Sequence, residues 1–138
     1  MSIKNLICAL SGGIGAFLCM LLGGFTKDLV VLTSFMVIDL LTGIIVAAVF
    51  KKSKKTESGA LNSKVTYKGI LKKICELCFV VIANMLDMYL GTAFIRSGVI
   101  VGFIINELLS IVENAALMGI VSPALNSALD ILKKEVKK

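Results

Sequence analysis

Four apolar stretches alternate with polar breaks along the chain, at about residues 3–25, 29–50, 74–95 and 99–121. Each is close to the roughly 20 residues that a helix needs to cross the ~30 Å hydrocarbon core of a bilayer. Lys4 opens the first and Lys27-Asp28 follow it. The second is broken only by Asp39 and a few hydroxyls. A polar stretch, 51–73, separates the second from the third, and Arg96-Ser97-Gly98 separates the third from the fourth. In the tail, 122–138, Leu125, Ala128, Leu129, Leu132 and Val136 recur at helical spacing, with lysines opposite. Ser122 is placed to cap that helix and Pro123 suits its first position.

The pattern predicts an all-α integral membrane helical bundle: one membrane domain, 1–138, with four transmembrane helices and a short amphipathic C-terminal helix. A three-span variant would lay the first stretch on the membrane surface. The tail reads either as a solvated helix end or as a helix on an anionic inner leaflet. The first two stretches are read as a helical hairpin rather than a cleaved leader. The basic start is weak, the run is long, and no small-x-small site precedes Lys27.

Composition sharpens this. Apolar residues make up 57% and charged residues 17%, and the mean hydropathy is +0.95. A soluble domain of this size cannot hide that much apolar surface. A soluble enzyme, a secreted disulfide domain and a disordered tail are therefore excluded. The absence of histidine removes the commonest general base and metal ligand.

The net charge of +6 is explained by its distribution. Lys51, Lys52, Lys54, Lys55, Lys64, Lys68, Lys72 and Lys73 crowd the 51–73 stretch against Glu57 alone, and the tail ends in four more lysines. With four spans, thirteen of the fifteen basic residues fall on one side, leaving Lys27 and Arg96 on the other. The positive-inside rule then places both termini and a basic loop, 51–73, in the cytoplasm. Lys51, Lys52, Lys54, Lys55, Lys72 and Lys73 set topology and meet anionic lipid headgroups. A nucleic-acid partner is not expected.

Gly12 and Ala16, four apart in the first stretch, and Gly43 in the second suit close helix packing. Cys75-x-x-Cys78 has a redox spacing but no second pair and no βαβ context, so it reads as small apolar side chains.

The acids inside the apolar runs are the most informative residues. Asp39, Asp87 and Glu107 are expected near the midplane and Glu113 farther along the fourth run. Such an acid costs about 2.5–3.5 kcal/mol on insertion scales. No lysine or arginine is expected at that depth to offset it. On a helical wheel Glu76, Asn84, Asp87 and Gly91 fall within about 80°, and Asn106, Glu107, Ser110, Glu113 and Asn114 within about 120°. Asp39, with Thr42 and Gly43, marks one side of the second run. These stripes are expected to face a bundle interior, a neighbouring subunit or water. Asp39-Leu40-Leu41-Thr42 and Glu107-Leu108-Leu109-Ser110 echo each other weakly.

Asp39-Leu40-Leu41-Thr42-Gly43, the basic run ending Lys68-Gly69-Ile70-Leu71-Lys72-Lys73, the segment Asn106-Glu107-Leu108-Leu109-Ser110-Ile111-Val112-Glu113-Asn114, then Gly119 and Pro123, together resemble the toxin-secretion/phage-lysis holin family over roughly residues 35–135. The resemblance implies a phage or prophage protein of the bacterial cytoplasmic membrane. It would form homo-oligomers that permeabilise the membrane and release a peptidoglycan hydrolase or a toxin, with no catalysis and no cofactor. A small proton-coupled transporter is the alternative, although its usual first-span acid is missing. A non-lytic antiholin shares the same sequence features, and a membrane lipid kinase is a weaker enzyme option.

Overall fold

The computed structural model describes residues 2–136. Within the last helix, the side chains of Ala128, Leu129, Leu132, Glu135 and Val136 lie outside that description, and so does most of the expected apolar face of the tail. The described residues form helices joined by turns and one loop, with no strand among them. Helix α1 covers Ile3–Leu21, α2 Lys27–Ile45, α3 Ser63–Leu90, α4 Ile95–Leu117 and α5 Pro123–Val136. A π-helical turn, Val46–Phe50, extends α2.

Among the described residues, three helices are long and apolar enough to cross a membrane: Ile3–Leu21, Lys27–Phe50 and Ile95–Leu117. This is a membrane protein. Helix α3 differs because Lys73, Glu76 and Asp87 interrupt its apolar half. It is also longer than a span requires, at 28 residues. Half of the polar stretch 51–73 is therefore helix: only residues 51–62 form a loop. Asn62 starts α3 by accepting from the Lys64 backbone N–H at 2.9 Å, the usual way an N-cap satisfies an orphan donor.

The break between α3 and α4 falls at residues 91–94, ahead of Arg96-Ser97-Gly98. Gly91 takes a left-handed conformation (φ +68°), which only glycine adopts without cost. At the other tight turn, Gly23 (φ +82°) lies against Asn84 and Arg96, where a Cβ would collide with both side chains.

Helices α2 and α4 pack most closely, and α3 closes against α4. Leu29, Leu32, Met36, Val80 and Ile100 form the buried core, flanked by Leu22, Leu77, Val99, Phe103 and Ile104. Around it, apolar side chains such as Ile14, Val37 and Phe79 are more than half exposed, as lipid requires and water would penalise. Hydroxyls on α2 return to their own helix: Ser34 donates to Val30 O at 2.7 Å and Thr42 to Ile38 O at 2.9 Å. Helix α1 has no buried residue and joins the rest through its last turn.

Candidate functional site

Helix α3 organises the polar interior. A 3.6-residue repeat puts Glu76, Val80, Asn84 and Asp87 on one face, and all four are buried. Lys73 begins the same stripe, one turn before Glu76.

Lys73 Nζ donates to Asp39 Oδ2 at 2.8 Å and to Glu107 Oε2 at 2.5 Å. It thereby joins α2, α3 and α4 through one ammonium. Asn114 Nδ2 donates to the other Asp39 oxygen at 3.2 Å and to Thr42 Oγ1 at 3.0 Å. Gly43 lies beside that amide, and a Cβ there would stand in ordinary contact with Asn114 Nδ2, at 3.7 Å. Glu76 lies beside this group. Its Oε1 is 3.6 Å from Lys72 Nζ, and its Oε2 is buried without a hydrogen-bond partner among the described residues. Three buried acids thus gather around one half-buried lysine, because the Lys72 side chain is 67% exposed.

Two expectations are overturned here. A basic residue does reach the acids: the long Lys73 stem carries its ammonium inward from the edge of the apolar run. Lys73 is accordingly a partner of the acids, although its sequence position suggested a headgroup ligand.

A second cluster closes the opposite end. Asp87 Oδ1 accepts from Thr92 Oγ1 at 2.5 Å and from the Ile95 N–H at 3.1 Å, and Oδ2 accepts from the Arg96 N–H at 2.8 Å. Asp87 was expected near mid-bilayer. It lies instead in the last turn of α3, where it satisfies the first N–H groups of α4, as a carboxylate at a helix N-terminus does. Arg96, expected in a loop, is buried at 8% exposure. It donates from Nε to Leu22 O at 2.6 Å and from Nη2 to Thr26 Oγ1 at 2.7 Å, and Nη1 lies 3.6 Å from Asp28. Asn84 Nδ2 donates to Leu21 O at 3.0 Å. Sequence reasoning left Arg96 in the break before the fourth stretch; it is the second residue of α4.

Between the first cluster and the 51–62 loop lies a cavity of about 360 Å³. Asp39, Lys73 and Glu107 line it, with Asn106, Ser110, Glu113 and Asn114 along α4. Lys54, Lys55, Lys72 and Lys133 surround it. Glu113 pairs with Lys133 and so ties α5 to α4. Lys51 and Lys52 are exposed on the loop and lie off the cavity. Gly12 and Ala16 are exposed on α1, and nothing lies within 4 Å of a Cβ placed at Gly12. Among the described residues no group of histidine, cysteine or acid side chains could hold a metal, and Cys75 and Cys78 are exposed thiols.

A family model for the bacteriophage holin family matches residues 16–134. The chain belongs to the bacteriophage holin family. This holin-family chain is 36% identical over 132 residues to an uncharacterized protein of Halalkalibacterium halodurans, covering 91% of this chain and 92% of that one. It is 38% identical over 112 residues to an uncharacterized protein of Listeria monocytogenes, covering 80% and 74%. A probable holin of Bacillus phage phi105 is 30% identical over 102 residues, covering 73% and 70%. No solved structure matches this holin-family chain. Membership points to a non-enzymatic membrane protein.

Proposed function

We propose that this holin-family protein permeabilises the bacterial cytoplasmic membrane as a homo-oligomer and so releases a cell-wall hydrolase or a toxin. Four helices, α1 to α4, cross the bilayer. The basic loop, the N-terminus and the lysine-rich C-terminus face the cytoplasm. The observation that carries this reading is the Lys73–Asp39–Glu107 cluster inside a shell of exposed apolar side chains.

A buried ion pair adds little net stability, but removing one partner strands a charge at high cost. Such a cluster therefore has two acceptable states. At low density the chain satisfies its charges within itself. In a dense assembly the same groups exchange partners with neighbouring copies or with water. Moving between these packings is a population shift, driven by whatever contacts the assembly adds. Asp39, Glu107, Ser110, Glu113 and Asn114 then line water or a neighbouring chain, while the exposed apolar faces remain in lipid.

The test is co-expression in bacteria with a wall hydrolase that lacks a signal peptide. Abrupt lysis with collapse of the membrane potential is expected. Intact cells and a preserved potential at high expression would refute the proposal. Delayed lysis when a known lytic relative is co-expressed would identify an antiholin instead.

A further inference from the structure

The cavity above the Lys73 cluster is basic at its rim and apolar in its walls. Its charged cytoplasmic lining includes Lys54 and Lys55 from the loop and Lys72 from α3, with Asn62 and Thr66 beside them. Asp39 and Glu107 already hold Lys73, and Glu113 holds Lys133. Lys54 and Lys55 make no ion pair with any acid among the described residues, and Lys72 makes only the long, solvent-exposed contact to Glu76. An anion is therefore favoured at the rim and disfavoured at the floor.

A second concavity adjoins the first. A groove of about 550 Å³ is lined by Ile44, Leu61, Ser63, Thr66, Tyr67 and Ile70. Ile44, Leu61 and Thr66 belong to both, so the basic rim runs directly into an apolar channel on the bundle surface. The groove is lined by the end of α2, by the first turns of α3 and by loop residue Leu61. A charged rim continuous with an apolar groove matches an amphiphile whose head is anionic and whose tail is a hydrocarbon chain.

The geometry points to a site for one anionic phospholipid. Its phosphate lies among Lys54, Lys55 and Lys72, and one acyl chain lies along Ile44, Leu61, Tyr67 and Ile70. Basic pockets between helices at the cytoplasmic face hold such headgroups by the same chemistry. The assignment rests on the proposed membrane placement but not on lysis. Lipid retention and lysis are read in separate assays, so failure of either leaves the other standing.

The experiment uses the full chain purified in mild detergent and mixed with equimolar phosphatidylglycerol and phosphatidylcholine. Retained lipid is counted by native mass spectrometry. Preferential retention of one phosphatidylglycerol is expected. The K54Q/K55Q/K72Q variant should lose that preference, by about fivefold per lysine. K51Q/K64Q/K68Q removes equal charge outside the cavity and should keep it. Equal retention of the two lipids would overturn the assignment, and so would equal loss in the two variants. Glycerol phosphate should fail to displace the lipid; effective displacement would overturn the phospholipid reading in favour of a free-phosphate site. L61S should weaken retention while leaving the charge unchanged.

Discussion

Lys73 binds Glu107 at 2.5 Å, 34 residues along the chain, and it binds Asp39 at the same separation in the other direction. In an up-and-down arrangement, equal separations bring three neighbouring helices to one level. A single ammonium can then bridge two carboxylates that no other described cation pairs with. Since Glu76 adds a third acid with one orphaned oxygen, the cluster has carboxylates in excess and tolerates no loss of its cation.

Replacing that cation should therefore be severe. K73M leaves Asp39 and Glu107 buried without a base, a loss of about 3–5 kcal/mol. Thermal unfolding of the purified protein in detergent should show a large drop in midpoint. The triple variant D39N/K73M/E107Q should regain most of it, because it removes the charges together. A K73M protein as stable as the parent would mean that the cluster does not hold the helices.

At the opposite end the stabilising element is a cap. Asp87 serves two backbone N–H groups of α4 and the Thr92 hydroxyl. D87A should cost about 1–2 kcal/mol, as lost N-caps do. D87N should retain part of that, since an amide oxygen still accepts. Hydrogen exchange at the Ile95 and Arg96 amides should accelerate in D87A before exchange does elsewhere in α4.

Much of this interior was legible in the sequence. The wheel of α3 groups Glu76, Asn84 and Asp87, and the structure buries all three. On α4 it groups Glu107 with Asn114, both buried, though Asn106 on the same stripe is exposed. The basic partners were the harder part. Lys73 and Arg96 both sit at apolar boundaries, where a charge reads as an orientation signal. A boundary drawn on hydropathy ends where the charge begins, whereas a helix does not. Extending the α3 wheel back to Lys73 places it within about 80° of Glu76, Val80, Asn84 and Asp87. Lone Asp87 also gave no sign of capping until the position of Gly91 fixed the end of α3.

The tie between α5 and α4 should behave differently from the buried cluster. Lys133 and Glu113 have side chains 36% and 43% exposed, so their pair should contribute about 0.2–1 kcal/mol and weaken with salt. K133Q should leave the unfolding midpoint of the bundle nearly unchanged. It should speed amide exchange in α5 alone, and high salt should produce the same change in the parent protein.

Two glycines of the first hairpin separate the folding role of α1 from its role in assembly. Gly23 needs its positive φ and its missing Cβ, because Asn84 and Arg96 occupy the space beside it. G23A should destabilise the monomer by about 1–3 kcal/mol, through backbone strain and displacement of the Arg96 contacts. Gly12 meets nothing within 4 Å, so G12A should leave monomer stability in detergent unchanged or raise it by about 0.5–1 kcal/mol through helix propensity. In the proposed oligomer the same methyl group stands where small residues let helices approach. G12A should therefore alter the time of lysis in cells while the unfolding midpoint stays at or above that of the parent. Unchanged lysis timing would place the α1 glycine face against lipid instead of a second copy.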